Sequence, residues 1–132
     1  STSTAVNIKV IRLSEIYLIA AEAALYIDKA VAANYLNAIR KRSPNLALAT
    51  ASTVTLDMIL DERSKELFGE GHRFFDMIRL NKTITFNDDF GGITVAHREK
   101  SINRSFFKTL LPISQTEINA NPEIAKQQNP GY

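Results

Sequence analysis

Apolar residues recur at helical spacing through the first two thirds of the chain. Ile16, Ile19, Ala20, Ala23 and Ile27 trace one face, with Ser14, Glu15 and Glu22 on the other, which predicts a helix over residues 13–27. A second helix is expected over 29–42, with Asp28 as its N-cap and Ala32, Leu36 and Ile39 turned inward. Its Asn37, Arg40 and Lys41 are expected to face solvent, basic residues gather at its carboxyl end where the dipole favours them, and Pro44 ends it. Small residues at Ala20 and Ala32 would let the two helices approach closely, with Ile16, Ile19, Leu36 and Ile39 filling the space beside them. Residues 6–11 alternate in part and read as an extended lead-in.

The densest pattern follows. Leu56, Ile59, Leu60 and Leu67 form a helical stripe, and Arg63 occupies the middle of it where another apolar residue would be expected. An inward guanidinium needs acceptors, and Glu66 and Glu70 lie three and seven residues further on, so an internal ion-pair network is predicted around Arg63. Gly69 and Gly71 flank Glu70 and mark a break, after which residues 72–80 resume a helix with Phe74, Phe75 and Ile78 inward. Residues 45–52 are small and polar and read as a loop, and Thr53 or Thr55 is positioned to cap the central helix.

Beyond residue 80 the texture changes. The β-prone residues 83–86 and 93–95 enclose the turn-rich run Asn-Asp-Asp-Phe-Gly-Gly at 87–92, which predicts a small hairpin or ordered loop. Residues 106–113 are apolar and stop at Pro112, and Ser114 with Glu117 forms a capping box for a short helix that ends before Asn121 and Pro122. The last residues, 127–132, carry no periodicity and need a surface to lie on. The whole reads as an all-α fold, helix pairs plus a broken helix, with a minor β or extended element and an irregular tail. The expected organisation is one domain over 1–132: lead-in 1–9, helices 10–80, loop or hairpin 81–110, short helix and tail 111–132.

A chain of 132 residues can bury roughly two thirds of its unfolded surface, enough for one core. The 16 basic and 14 acidic residues give a net charge of +2 and are interleaved, which argues against the one-sided basic patch of a nucleic-acid binder. With no cysteine, disulfides, thiolate metal sites and a thiol nucleophile are excluded. The most apolar run, 16–27, is interrupted by Glu22 and is shorter than the roughly 20 residues of a spanning helix.

Titratable groups cluster only at Glu62, Glu66, Glu70, His72 and Asp76, which invite comparison with a glycosidase acid pair or a metal site. Glycosidase carboxylates face each other across a cleft, whereas Glu62 and Glu66 lie side by side on one helix. The reading preferred on the residues is structural: ion pairs of these acids with Arg63, Arg73 and Arg79 that fix the glycine turn. His72 stands four residues before Asp76 without a nucleophile placed to complete a constellation, and His97 is isolated. Asp88 and Asp89 lack the alternating oxygen ligands of a calcium loop and read as a turn. Tyr17, Tyr26 and Tyr35 fall on helices, where packing is their expected role, which leaves Phe86 and Phe90 as the aromatics to test for a ligand. No catalytic, metal or cofactor residue is assigned, and the ligand-binding residues are left open.

The spacing from Ile16 through Ala20 and Ala32 to Pro44 resembles a tetratricopeptide pair. More specific are five blocks in order: Arg12-Leu-Ser-Glu-Ile-Tyr-Leu-Ile-Ala-Ala-Glu-Ala24; Leu36-Asn-Ala-Ile-Arg-Lys-Arg42; the run from Ile59 to Arg79; Leu111-Pro-Ile113 with Glu117-Ile118; and Gln128-Asn-Pro-Gly-Tyr132. Together they resemble the carboxyl-terminal part of the SusD/RagB outer-membrane nutrient-binding proteins. Ser114 departs from the family, which usually has a second proline there. The resemblance implies a non-enzymatic scaffold region of a surface lipoprotein that binds oligosaccharide or another nutrient and passes it to a TonB-dependent transporter. Leader, anchor and most ligand contacts would lie outside this sequence. The alternative is a free-standing helical-repeat module for protein partners. If the chain is one region of a longer protein, an enlarged exposed apolar patch and self-association are expected.

Overall fold

The computed structural model describes residues 11–86 and 99–132. Its elements in order are helices α1 (Leu13–Ala24), α2 (Lys29–Arg40), α3 (Leu56–Glu66) and α4 (His72–Arg79), strands β1 (Ile84–Thr85) and β2 (Ser101–Ile102), a 3-10 turn at Phe107–Thr109, helix α5 (Gln115–Ala120) and a 3-10 helix at Pro122–Gln127. The described residues are thus mainly helical, with one two-stranded sheet. The chain divides into two compact units, Ser1–Arg73 and Phe74–Tyr132.

In the first unit the expected caps form. Asp28 accepts from the amides of Ala30 at 2.8 Å and Val31 at 3.3 Å, and Thr55 rather than Thr53 caps α3, accepting from Met58 N at 3.2 Å. The core joins Leu18 and Ala21 of α1, Ala32, Ala33, Leu36 and Ile39 of α2, Ala49 and Val54 of the connection, and Ile59 of α3. The α3 stripe is as expected: Ile59, Leu60 and Leu67 are buried, and so is Arg63, at 6% exposure.

Three faces differ from the sequence expectation. On α1 the inner face is Leu18 and Ala21, while Ile16 and Ile19 are 46% and 47% exposed and Ala20 is half-buried. This helix is apolar nearly all round, so its polar residues had to choose the face, and they misled because Ser14 and Glu15 are drawn inward to other side chains. On α2, Asn37 and Arg40 are buried, not solvent-facing. Asn37 exchanges two hydrogen bonds of 2.8 Å with the backbone of Ala49, its Nδ2 donating to the carbonyl and its Oδ1 accepting from the amide. A side-chain amide has both the donor and the acceptor of a peptide group, so here it replaces a strand partner for a loop that has none. On α4 the buried residue is Asp76, with Phe75 69% exposed, Phe74 exposed and Ile78 half-buried.

Gly69 and Gly71 have φ of 77° and 81°, the left-handed region, and so end α3 and lead into α4. Helix α4 closes on a Schellman motif: Asn81, with φ of 52°, bonds Ile78 O at 3.1 Å and Lys82 bonds Met77 O at 2.8 Å. In the second unit β1 pairs antiparallel with β2 in the register Ile84 to Ile102 and Thr85 to Ser101. The partner of the 83–86 segment is therefore 101–102; the expected return strand at 93–95 lies outside the described residues. Ser114 caps α5, accepting from Glu117 N at 3.3 Å. The stretch after Asn121 forms a 3-10 helix that its composition did not announce.

Candidate functional site

The acidic cluster is real: Asp76 pairs locally with the expected Arg79, while Glu62, Glu66 and Glu70 take partners from elsewhere in the chain. Arg12, at the amino end of α1, reaches the end of α3. Its NH1 meets Glu66 Oε1 at 3.2 Å, NH2 donates to Glu66 O at 2.6 Å and to Glu70 Oε1 at 2.6 Å, and Nε donates to Glu70 Oε2 at 3.1 Å. The hold on Glu70 is bidentate, the strong geometry for a guanidinium and a carboxylate. The bond to Glu66 O satisfies one of the carbonyls that the end of α3 leaves without an intrahelical partner, at the end where the dipole favours a cation. Arg42, just past α2, takes the other oxygen of Glu66.

Glu66 is therefore a bridge between two guanidiniums. Burial pushes its carboxyl upward, but the nearby Ser14 hydroxyl, short of full hydrogen-bond geometry, and then Arg42 and Arg12 outweigh that and hold it below 4.5. For Arg12, Glu70 is the main cause of a raised pKa, with burial opposing and Glu66 adding to it. The predicted network around the glycine turn exists, but Glu66 and Glu70 hold Arg12 and Arg42 where Arg63 was expected to be their partner. Arg12 is separated from them by 54 and 58 residues, beyond any local pattern. One signal was present: a cation opening a helix, with no side-chain cap, opposes the dipole and implies an outside partner.

The remaining candidates are equally engaged. Glu62 pairs with Arg40 at 3.2 Å, both side chains buried, and Arg40 also donates from Nε and NH2 to Ala47 O at 3.0 and 2.7 Å. Asp76 accepts from Arg79 at 2.9 Å, Arg73 donates to Leu60 O at 3.3 Å, and His72 Nδ1 lies 3.7 Å from Glu15. Glu62 and Glu66 thus stand on one helix, the first paired with Arg40 and the second with Arg12 and Arg42, which is not the opposed arrangement of a glycosidase pair. Among the described residues no group of three or more His, Cys, Asp or Glu is placed to hold a metal ion.

Beside the cluster is an open groove of about 310 Å³, lined among others by Arg12, Ser14, Tyr17, Ile39 and Arg42. Its two guanidiniums are the ones Glu66 engages, and the Tyr17 ring lies 6.0 Å from Tyr35, tilted by 53°, as expected of packing rings. Tyr26 is exposed, contrary to its expected packing role. Phe86 is half-buried next to β1, and Asp88, Asp89, Phe90 and His97 lie outside the described residues.

What these features define is a mainly helical fold whose clustered carboxylates, among the described residues, are paired with arginines of the same chain. A model of the SusD family matches residues 1–132, and the chain belongs to that family. It is 31% identical over 135 residues to a SusD-like protein, P25, of Formosa agariphila, a match covering 93% of this chain and 24% of the relative. A SusD superfamily protein of Bacteroides vulgatus superposes with a TM-score of 0.80 at 46% identity, over 93% of this chain and 27% of that one. A putative sugar binding protein of the same organism gives 0.78 at 42%, covering 93% and 28%. A SusD superfamily protein of Bacteroides thetaiotaomicron gives 0.76 at 41%, covering 92% and 27%. The chain therefore spans about a quarter of the length of the relatives it matches. Among the described residues no helix is long and apolar enough to cross a membrane.

Proposed function

We propose that residues 1–132 are the carboxyl-terminal scaffold region of a non-enzymatic, cell-surface nutrient-binding protein of the SusD type. In this reading an oligosaccharide or similar nutrient is captured by the longer protein and delivered to a TonB-dependent transporter of the outer membrane. The observation that carries the scaffold role is that Glu62, Glu66, Glu70 and Asp76 all face arginines of the chain itself. Carboxylates held in this way are not free for substrate: Glu62 braces the connection between α2 and α3, and Glu66 and Glu70 tie the end of α3 to Arg12. Membership of a family with a putative sugar binding protein among its solved relatives supports the wider role.

The second apolar face of α1, with Leu13, Ile16 and Ile19 exposed, and the exposed Ile27 just beyond the helix fit a region that packs against further protein. The same face would serve a free-standing interaction module. A glycan array that presents this chain beside the full product of its reading frame tests the proposal. Binding by the full product alone is expected, and equal binding by the 132-residue chain would overturn it. Light scattering on this chain should show concentration-dependent self-association, which replacement of Ile16 and Ile19 by lysine abolishes.

A further inference from the structure

The geometry points to the final pentapeptide, Gln128 to Tyr132, as a clasp: a strap of side chains that substitutes for the missing strand partner of residues 110–113 and holds that segment closed. An apolar core does not hold it. Among the described residues of Phe74–Tyr132 no apolar side chain is buried, and Leu110, Leu111 and Tyr132 are exposed. Residues 110–113 belong to no strand and form no main-chain ladder, yet their polar groups need partners.

The strap supplies them one by one. Gln128 Oε1 accepts from Ile113 N at 2.8 Å while Gln128 Nε2 donates to Ile113 O at 3.1 Å, the two-way exchange of an antiparallel pair made by a side-chain amide. Asn129 Nδ2 donates to Leu111 O at 2.5 Å, and the Tyr132 hydroxyl donates to Leu110 O at 3.0 Å. Gln128 Oε1 also accepts from Asn129 N at 2.9 Å, which fixes the strap's own path. Gly131 then turns the chain at φ of 93° so closely over Phe107 that a Cβ there would lie 2.7 Å from the ring. That turn sets the Tyr132 ring edge-on to Phe107, at 5.3 Å between centroids. The motif thus divides its labour: Gln, Asn and Tyr hold three carbonyls and an amide, and Gly provides the approach that no other residue permits.

Amide hydrogen exchange on the 132-residue chain tests the clasp. The Ile113 amide is protected by a side chain, so Gln128→Ala should speed its exchange roughly 10- to 30-fold, the loss of two such bonds, with α1 to α3 unchanged. Gly131→Ala acts by clash instead of by hydrogen bonding and should open the same segment, with faster tryptic cleavage after Lys126 in both variants. Lys126→Ala, which removes only an exposed contact to Glu123, is the control and should leave Ile113 protected. An Ile113 amide indifferent to Gln128→Ala, or acceleration spread evenly over α1 to α3, would overturn the clasp. So would a Gly131→Ala variant whose Ile113 amide stays protected.

Discussion

Removing Glu62 tests how the connection between α2 and α3 is held. The Arg40–Glu62 pair measures 3.2 Å, with side chains 8% and 9% exposed, and the guanidinium keeps two further bonds to Ala47 O. Breaking a buried pair by deleting one partner costs about 3–5 kcal/mol because a charge remains buried. Glu62→Met should sit near the lower end, about 3 kcal/mol, since Ala47 O still solvates Arg40 in part. Arg40→Met leaves Glu62 unpaired and also releases the loop carbonyl, so about 4 kcal/mol is expected. The double replacement keeps volume and leaves no orphaned charge, so it should cost only what the released Ala47 carbonyl loses, about 1–3 kcal/mol, well below the sum of the two single variants. Urea unfolding followed by circular dichroism measures this: at about 1–3 kcal/mol per molar, each single variant should lose on the order of 1–3 M in midpoint. Additivity within about 0.5 kcal/mol, or a Glu62→Met cost below about 1 kcal/mol as for a surface pair, would refute the reasoning.

Other expectations follow from the same geometry. Lys65→Ala breaks an exposed pair with Asp61 at 2.5 Å and should change stability by no more than about 0.5 kcal/mol, vanishing in high salt. Gly69→Ala and Gly71→Ala meet no atom within 4 Å, so their cost should be conformational alone, about 1–2 kcal/mol each by urea midpoint. Asp28→Ala should cost about 1 kcal/mol through the lost cap of α2. Because the folded pKa of Glu66 is lowered, its contribution is present above 4.5 and lost as pH falls through the lower folded value. Acid titration of Glu66→Gln should therefore show a shallower loss of stability below pH 4.5 than the parent; equal slopes would contradict the bridge. The raised Arg12 works at the opposite extreme, its contribution being lost only in strongly alkaline solution.

Local chemistry made much of this fold readable before any coordinates. Asp28, Thr55 and Ser114 act within three residues of themselves, so their caps follow from spacing alone. The α3 stripe, with Arg63 inside it, has only one apolar side and hence only one way to face. Helix α1 has two, and period cannot choose between them: Leu18 and Ala21 face the core because α2 and α3 happen to lie there, while Ile16 and Ile19 are left out. Long-range electrostatics was the other blind spot. The acids around the glycine turn were identified, but the guanidiniums that meet Glu66 come from Arg12 and Arg42, separated from it by 54 and 24 residues. Asn37 and Arg40 looked like solvent-facing polar residues because the loop they hold has no pattern of its own to announce a need for partners.

Arg12, Asn37 and Arg40 share one role, that of donors to main-chain carbonyls. At several places where regular structure stops among the described residues, a side chain donates to the exposed main-chain carbonyl: Arg12 to Glu66 O, Arg40 to Ala47 O, Asn37 to Ala49 O, Arg104 to Ile78 O and Arg79 O, Gln128 to Ile113 O. A guanidinium suits the task because its donors lie in one rigid fork and its charge complements the negative end of a helix. Arg104 illustrates this at the carboxyl end of α4, where Nε reaches Ile78 O at 2.9 Å. Basic residues placed this way are internal braces, so a net charge of +2 reports little about what the surface attracts. The same arrangement helps explain how α2 and α3, of 12 and 11 residues, stay ordered over a core in which alanines stand beside Leu18, Leu36, Ile39 and Ile59: isolated helices of that length are marginal in water, and here their ends are tied down by bonds that a burial pattern in the sequence does not record.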